Sequence, residues 1–203
     1  HVVSLSDRIK KEFVARGIDS TNVSVLPCGI DTDLYTLDET DVLYPDRSIV
    51  VGKIEPRKRQ AFLQHKDLNI DFIGNNTDSS FDELDPHYLG EQSKQDIMDN
   101  LTAYASMVLL SSGEAHPFVC LEGMAAGLGL VLSEQSTANL DISQPFITVI
   151  PDDKLDDTTY LNQKIKENRK ISLTMRNDIR KYCFDNFDWS SIIKQYKSII
   201  DNI

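Results

Sequence analysis

Short, largely apolar runs alternate with amphipathic stretches along the chain. The runs at 48–51, 69–73, 107–110, 128–132 and 146–150 lie next to Gly, Pro, Ser or Asn. They lack a clean apolar–polar alternation, which predicts strands covered on both faces. Residues 2–5 and 23–26 predict two more strands, and Tyr88-Leu89 a very short one before Gly90. Between the strands the period changes to that of a helix. One helix is expected from a cap at Ser6 or Asp7 to about Ala15, stopped by Gly17. A second runs from 58 to about 65. A third runs from 93 to 104, where Ile97, Leu101 and Tyr104 recur on one face. A fourth, 117–126, carries Pro117 in its first turn, where a missing N–H costs nothing. From about residue 155 the tail reads as helical, with a break near Asp188-Trp189. Residues 31–46 and 75–86 are polar and read as loops.

Strand–helix–strand units with apolar strands predict an α/β, Rossmann-like parallel sheet with helices on both faces. Ligands of such sheets bind at the carboxyl ends of the strands. The sequence has 203 residues, 40% of them hydrophobic, enough for one to one-and-a-half ordinary domains. Its formal net charge of −11 argues against nucleic acid or an anionic membrane as a partner of the overall field. Any anionic ligand therefore needs a local basic site. Cys28, Cys120 and Cys183 form neither a metal pattern nor a disulfide framework, so a reducing, cytoplasmic setting is expected. No apolar run of about 18 residues is present, and no signal peptide is visible. The chain opens mid-strand without Met, and a longer parent protein is expected. His1, His65, His87 and His116 show no ligand spacing, and no metal site is expected.

Two segments carry chemistry. In Glu114-Ala115-His116-Pro117-Phe118-Val119-Cys120-Leu121-Glu122 two carboxylates stand eight positions apart, astride a helix start. Such a start attracts anions, because its first amides have no intrahelical partner and the helix dipole adds positive potential. Carboxylates that hold hydroxyls, on both sides of an anion-friendly helix start, suit a nucleotide sugar. The second segment, Gly52-Lys53-Ile54-Glu55-Pro56-Arg57-Lys58-Arg59, puts four cations within seven positions directly after a strand. Gly52 lets the backbone approach a diphosphate, and flexible cations neutralise it. Arg57 and Arg59 are divided between this role and a solvated face.

The first segment, preceded by Ser111-Ser112-Gly113 and followed by Gly123-Met124-Ala125-Ala126-Gly127, resembles the E-x7-E motif of the family-4 retaining glycosyltransferases of GT-B fold. Val51 to Arg59 is similar to that family's V-G-R-x-x-x-x-K-G motif, with Lys53 in place of Arg and Arg59 in place of Gly. Pro27-Cys28-Gly29-Ile30-Asp31 resembles its P-N-G-V-D loop, with Cys28 in place of Asn. Phe72-Ile73-Gly74-Asn75-Asn76 resembles a G-x-G element with Asn76 for the second Gly, and the Gly-Gly-x-x-E segment is absent over 134–141.

The resemblance implies the donor-binding half of an enzyme that moves a sugar from a UDP- or GDP-linked donor to a glycan or other hydroxyl acceptor, in polysaccharide or glycoconjugate synthesis. It implies retention and no cofactor or metal. Catalytic roles fall on Lys53 and Lys58 at the diphosphate and on Glu114 at the donor sugar. Binding roles fall on Gly29, Gly52, Pro117, Phe118, Val119 and Glu122, the last at the ribose, with His116 lining the sugar pocket and Glu91 and Gln92 as candidates at the base. The expected division is 1–26 closing a missing N-terminal domain, 27–186 binding the nucleotide sugar, and 187–203 as a helix lying back toward that domain. Contact with a membrane surface would come only through the missing half, and the chain alone is expected to be inactive. An epimerase or hydrolase half of the same fold, or a non-catalytic nucleotide-sugar-binding module, are the alternatives.

Overall fold

The computed structural model describes residues 1–38, 40 and 42–202. Positions 39 and 41 of the expected acidic loop, and 203 of the expected last helix, lie outside the described residues. β1 (Val2–Ser4) and β2 (Val23–Val25) pair in parallel, with α1 (Asp7–Ala15) between them in the chain. Gly17, at φ 93°, turns the chain after α1 as its position suggested.

The main sheet follows. β3 (Tyr44–Val51), α2 (Gln60–Gln64), β4 (Ile70–Ile73), α3 (Lys94–Asn100), β5 (Tyr104–Leu109), α4 (Phe118–Ala125) and β6 (Gly129–Ser133) alternate along the chain, and β7 (Ile147–Ile150) follows β6 without an α-helix between them. The strands lie in the order β4-β3-β5-β6-β7, all parallel. Beyond β4, Tyr88 bridges Phe72 in parallel, with Phe72 N–H bonded to His87 O (2.8 Å) and Leu89 N–H to Phe72 O (2.9 Å). The short strand expected at 88–89 is thus a single bridge, and it completes a Rossmann strand order. The order reverses between β3 and β5, where such sheets open a crevice at the strands' carboxyl ends.

Both faces of the sheet are covered, which is why its strands show little alternation. Ile49, Val51, Met107, Leu109, Leu130 and Leu132 join α3, α4 and α6 (Arg176–Phe187) in one core. Val50, Phe72, Val108, Leu110 and Val131 join α2 and α5 (Thr158–Thr174) in the other. The period of two is present but apolar on both sides.

Four expectations are corrected. The helix from 58 to 65 divides into a 3-10 turn, Pro56–Lys58, and α2, with Arg59 between them at φ 59°. The helix from 93 to 104 ends at Asn100. Leu101–Ala103 forms a 3-10 turn and Tyr104 starts β5, its hydroxyl donating to buried Asp71 (3.0 Å). Its helical spacing arose because Leu101 and Tyr104 are buried on successive elements. β3 begins at Tyr44, four residues before the expected strand, and Tyr44 pairs with Tyr104. The tail breaks a second time at Met175. This turns buried Arg176 inward to the carbonyls of Tyr104 (3.0 Å), Thr102 (2.6 Å) and Ala126 (3.2 Å).

The expected break near Asp188 is present, and α7 (Trp189–Asp201) follows it. The junction is tied to the loop after β2. Ile30 N–H bonds to Phe187 O (2.8 Å) and Trp189 N–H to Ile30 O (3.0 Å).

Candidate functional site

At the carboxyl ends of β3 and β5 the fold gathers most of the residues singled out above. The backbone leaves β3 through Gly52 at φ 133°, a conformation that L side chains rarely adopt. A Cβ there would lie 2.7 Å from Lys58 Nζ, so the Lys58 ammonium sits directly over the Gly52 backbone. The neighbouring loop after β4 is packed as tightly. A methyl group on Gly74 would overlap the Gly52 carbonyl, and Gly52 N–H bonds to Ile73 O (2.9 Å). Gly52, exposed Lys53, Gly74, Asn75, Glu91 and Gln92 line a cleft of ≈ 290 Å³. Glu91 and Gln92 therefore share a wall with the phosphate-type loop.

On the other side of that loop stands the start of α4. Its first residue is Phe118, and Pro117 precedes it without a side-chain acceptor, so the first turn has no side-chain cap. Cys120 N–H turns back to Pro117 O (2.9 Å). Pro117 is therefore the cap position, one residue outside the helix rather than within its first turn. Phe118 is exposed at its edge and Val119 half-buried.

Glu122, one turn along α4, is half-buried and accepts a hydrogen bond from the Tyr35 hydroxyl (3.0 Å). Burial raises its pKa above the usual carboxylate value, against the opposing pull of Tyr35, Lys94 and Lys58. Glu114 lies in the loop after β5, where its N–H bonds to Gln135 O (3.1 Å). The charges of Glu114, Lys58 and Glu122 all act on the buried Cys120 thiol, whose pKa is pushed up mainly by desolvation.

Sequence reasoning divided Arg57 and Arg59 between phosphate and solvent, and each has a defined structural place instead. Arg57 Nη1 donates to Glu114 Oε1 (2.9 Å), Ser111 Oγ (3.1 Å) and the Gly113 carbonyl, and Nη2 donates to Glu55 Oε1 (2.8 Å). Ser112 N–H returns a bond to Arg57 O (2.8 Å). Arg57 is thereby a clamp joining the basic loop to the Glu114 loop. Arg59 Nη1 donates to Leu110 O (3.2 Å) at the end of β5.

His116 is brought to the same rim, with both ring nitrogens engaged within the protein. Nε2 meets Cys28 O (3.3 Å) and Nδ1 meets Asn139 Nδ2 (2.9 Å). Burial lowers its pKa below the usual histidine value, with the Cys28 contact opposing. Gly29 is not in the left-handed region, so no tight turn demands it. A Cβ there would lie 2.6 Å from the Trp189 indole, and that packing is what requires glycine. Tyr35 and Asn139, which hold Glu122 and His116, were missed. Both lie in stretches without periodicity, and only the fold reveals their partners. Among the described residues no group of His, Cys, Asp and Glu could hold a metal ion.

No family model matches the chain, and no curated protein is significantly similar to it. Several solved structures are similar. One is HepE from Anabaena in complex with UDP and glucose, with a TM-score of 0.73 and 16% identity over 99% of this chain and 63% of that one. Another is the lipopolysaccharide outer core galactosyltransferase WaaB, with a TM-score of 0.75 and 15% identity over 99% of this chain and 62% of that one. Sucrose-phosphate synthase from Thermosynechococcus elongatus aligns with a TM-score of 0.71 and 16% identity, over 98% of this chain and 57% of its own. The chain spans about three-fifths of the length of these structures. It has the α/β, Rossmann-like fold of the corresponding part of GT-B glycosyltransferases, as the motif resemblance implied.

Proposed function

We propose that this chain is the donor-binding half of a GT-B glycosyltransferase, taking a nucleoside diphosphate sugar. Three observations support the reading: the Lys58 ammonium lies over Gly52 at the end of β3, the start of α4 has no side-chain cap, and Arg57 ties the basic loop to Glu114. Lys53, Lys58 and the amides of Phe118 and Val119 would stabilise the departing diphosphate by preorganised positive potential, without a metal ion. Glu122, oriented by Tyr35, would hold the ribose hydroxyls. Glu114, oriented by Arg57, would hold the donor sugar. Gly52 and Gly74 let the two loops pack closely and would form, with Glu91 and Gln92, the wall of the base cleft. His116 forms the rim through its ring, since its nitrogens are engaged elsewhere. The complex of the similar HepE with UDP and glucose supports a uridine donor, alongside the guanosine alternative.

Transfer with retention to a hydroxyl acceptor is part of the same reading. So is a companion domain that brings the acceptor and any contact with a membrane surface, with the work done in the cytoplasm. Among the described residues no helix is long and apolar enough to cross a membrane. The bare apolar side of α7, with Trp189, Ile193, Tyr196 and Ile200 exposed, supports a companion packed on that side.

The test is calorimetry of UDP, GDP, ADP and their sugar conjugates against this chain, with Mg²⁺ and with chelator. One nucleotide should bind without need of metal. Lys58→Ala and Glu122→Ala should each weaken it by on the order of 1–3 kcal/mol, the scale of hydrogen bonds to charged groups. Binding that survives both substitutions would overturn the site. Sugar transfer by this chain alone would overturn the need for a companion domain.

A further inference from the structure

A second cleft, of ≈ 480 Å³, lies at the amino ends of β3 and β4, the end of the sheet opposite the site above. It is lined by Asp46, Asp67, Asn162, Lys166, Arg169 and Lys170, with four further residues. Arg169 is 4% exposed, a deeply buried guanidinium. Its Nε donates to Ser48 Oγ (2.9 Å), and its Nη2 donates to the carbonyls of Leu68 and Asn69 (both 2.7 Å). Every one of these acceptors is neutral. Asp46 acts on Arg169 only at electrostatic range, and desolvation pulls its pKa down to about 10.

Among the described residues Nη1 has no hydrogen-bond partner, and it is not one of the fully buried atoms left without one, so it is open to solvent. A buried guanidinium satisfied by neutral acceptors on two nitrogens, with the third unengaged beside a cleft, is a site for an anion. Lys166 and Lys170 stand one turn apart on α5, both exposed, on the same cleft. The acid between them in sequence, Glu167, is paired with Lys164 (2.8 Å). Three cations therefore line the cleft of a chain whose net charge is −11.

The remaining polar wall narrows the ligand. Asp46 and Asp67 would repel an extended polyanion but accept hydrogen bonds from hydroxyls, and Asn162 can do either. We propose that this cleft binds a small sugar phosphate. Its phosphate sits on Arg169 Nη1, Lys166 and Lys170, and its hydroxyls on Asp46, Asp67 and Asn162. The site is separate from the donor site and does not depend on the reading given to that site.

The experiment is an NMR titration of the labelled chain with glucose 6-phosphate, inorganic phosphate and glucose, repeated with Lys58→Ala and with Lys166→Gln/Lys170→Gln. Arg169 is left intact, because it also satisfies two buried carbonyls. Glucose 6-phosphate should shift the amides around Asp46, Leu68 and Lys166. It should do so equally in the Lys58→Ala variant and about tenfold or more weakly in the double lysine variant. Inorganic phosphate should bind more weakly, and glucose not at all. Shifts centred on Gly52 and lost in Lys58→Ala would place the anion in the donor site and overturn the proposal. Equal affinity for inorganic phosphate would overturn the hydroxyl contacts. No shifts at millimolar ligand would make Arg169 a strut beside an empty groove.

Discussion

Asn139 sets the protonation state of His116. Its Nδ2 donates to Leu5 O (2.7 Å), a carbonyl that can only accept, so the amide cannot turn its oxygen that way. The same Nδ2 meets His116 Nδ1, which must then accept, leaving the ring proton on Nε2 facing Cys28 O. A second proton on Nδ1 would confront the Asn139 donor, and burial opposes the charge as well. The pKa is therefore lowered on folding. Between its ordinary value of 6.5 and that lowered value, the unfolded chain binds more protons than the folded one. Stability should fall as pH drops through this window. Thermal melts across pH 5 to 8 should show that slope flattened in His116→Gln; an unchanged slope would assign it to another group. Glu122 has the opposite sign. Burial raises its pKa above 4.5, so its stabilising contribution is present below 4.5 and lost as pH rises through the raised value. The ligand-free Glu122→Gln variant should melt higher than the parent at pH 7. The gap should close toward pH 4, and nucleotide affinity should fall. A variant melting lower at pH 7 would show that the Tyr35 contact outweighs the burial of charge.

At the scale of the element, the turn between β3 and α2 shows what sequence reasoning can and cannot reach. The basic loop, its place after a strand and the helix beyond it were all legible, since Gly52 and the cluster of cations are local signals. The break at Arg59 was not. The left-handed residue there holds a bond from Arg59 Nη1 to Leu110 O, a contact fifty-one residues away in sequence that no local signal announces. The departure from the glycosyltransferase motif, Arg where Gly is usual, did mark the position. A residue at φ 59° pays roughly 1–2 kcal/mol that Gly does not. Arg59→Gly relieves that strain while losing one hydrogen bond of about 1 kcal/mol, so its net effect should be small. Arg59→Ala loses the bond and keeps the strain. Urea unfolding should therefore find Ala less stable than Gly by about 1 kcal/mol, the reverse of their order inside a helix. The same kind of reason hid the ends of α3 and β5. Leu101 and Tyr104 are buried on both a helical and an extended reading, and the pairing of Tyr104 with Tyr44 in the sheet identifies which holds.

Across the whole molecule, burial is uneven in a way the hydrophobic pattern only hinted at. The two cores from β3 to α6 close on themselves, with many side chains such as Met107, Leu121 and Ile165 at 0% exposure. The outlying elements do not. α1 has no buried residue, and α7 buries Ile192 alone while Trp189 (48%), Ile193 (59%), Tyr196 (47%) and Ile200 (52%) remain exposed. The family resemblance, not the periodicity, leads to the expectation of a last helix lying back toward a missing domain, because periodicity reports that a face is apolar and not whether anything covers it. The attachment of α7 to the core comes through few contacts: the backbone bonds at Ile30, the indole over Gly29 and buried Ile192. A row of large apolar side chains on one helix, left bare, favours association. The isolated chain should therefore self-associate with rising concentration in sedimentation velocity. Ile193→Glu/Ile200→Glu should suppress that association. Because both side chains are already more than half exposed, the double variant should keep the parent's melting temperature within a few degrees, on the scale of about ±0.5 kcal/mol for surface substitutions. A large drop in melting temperature would mean instead that α7 contributes more to the core than its exposure allows. Association that persists unchanged would move the sticky surface to another exposed apolar group, such as Val3, Leu5 and Val14 around β1 and α1.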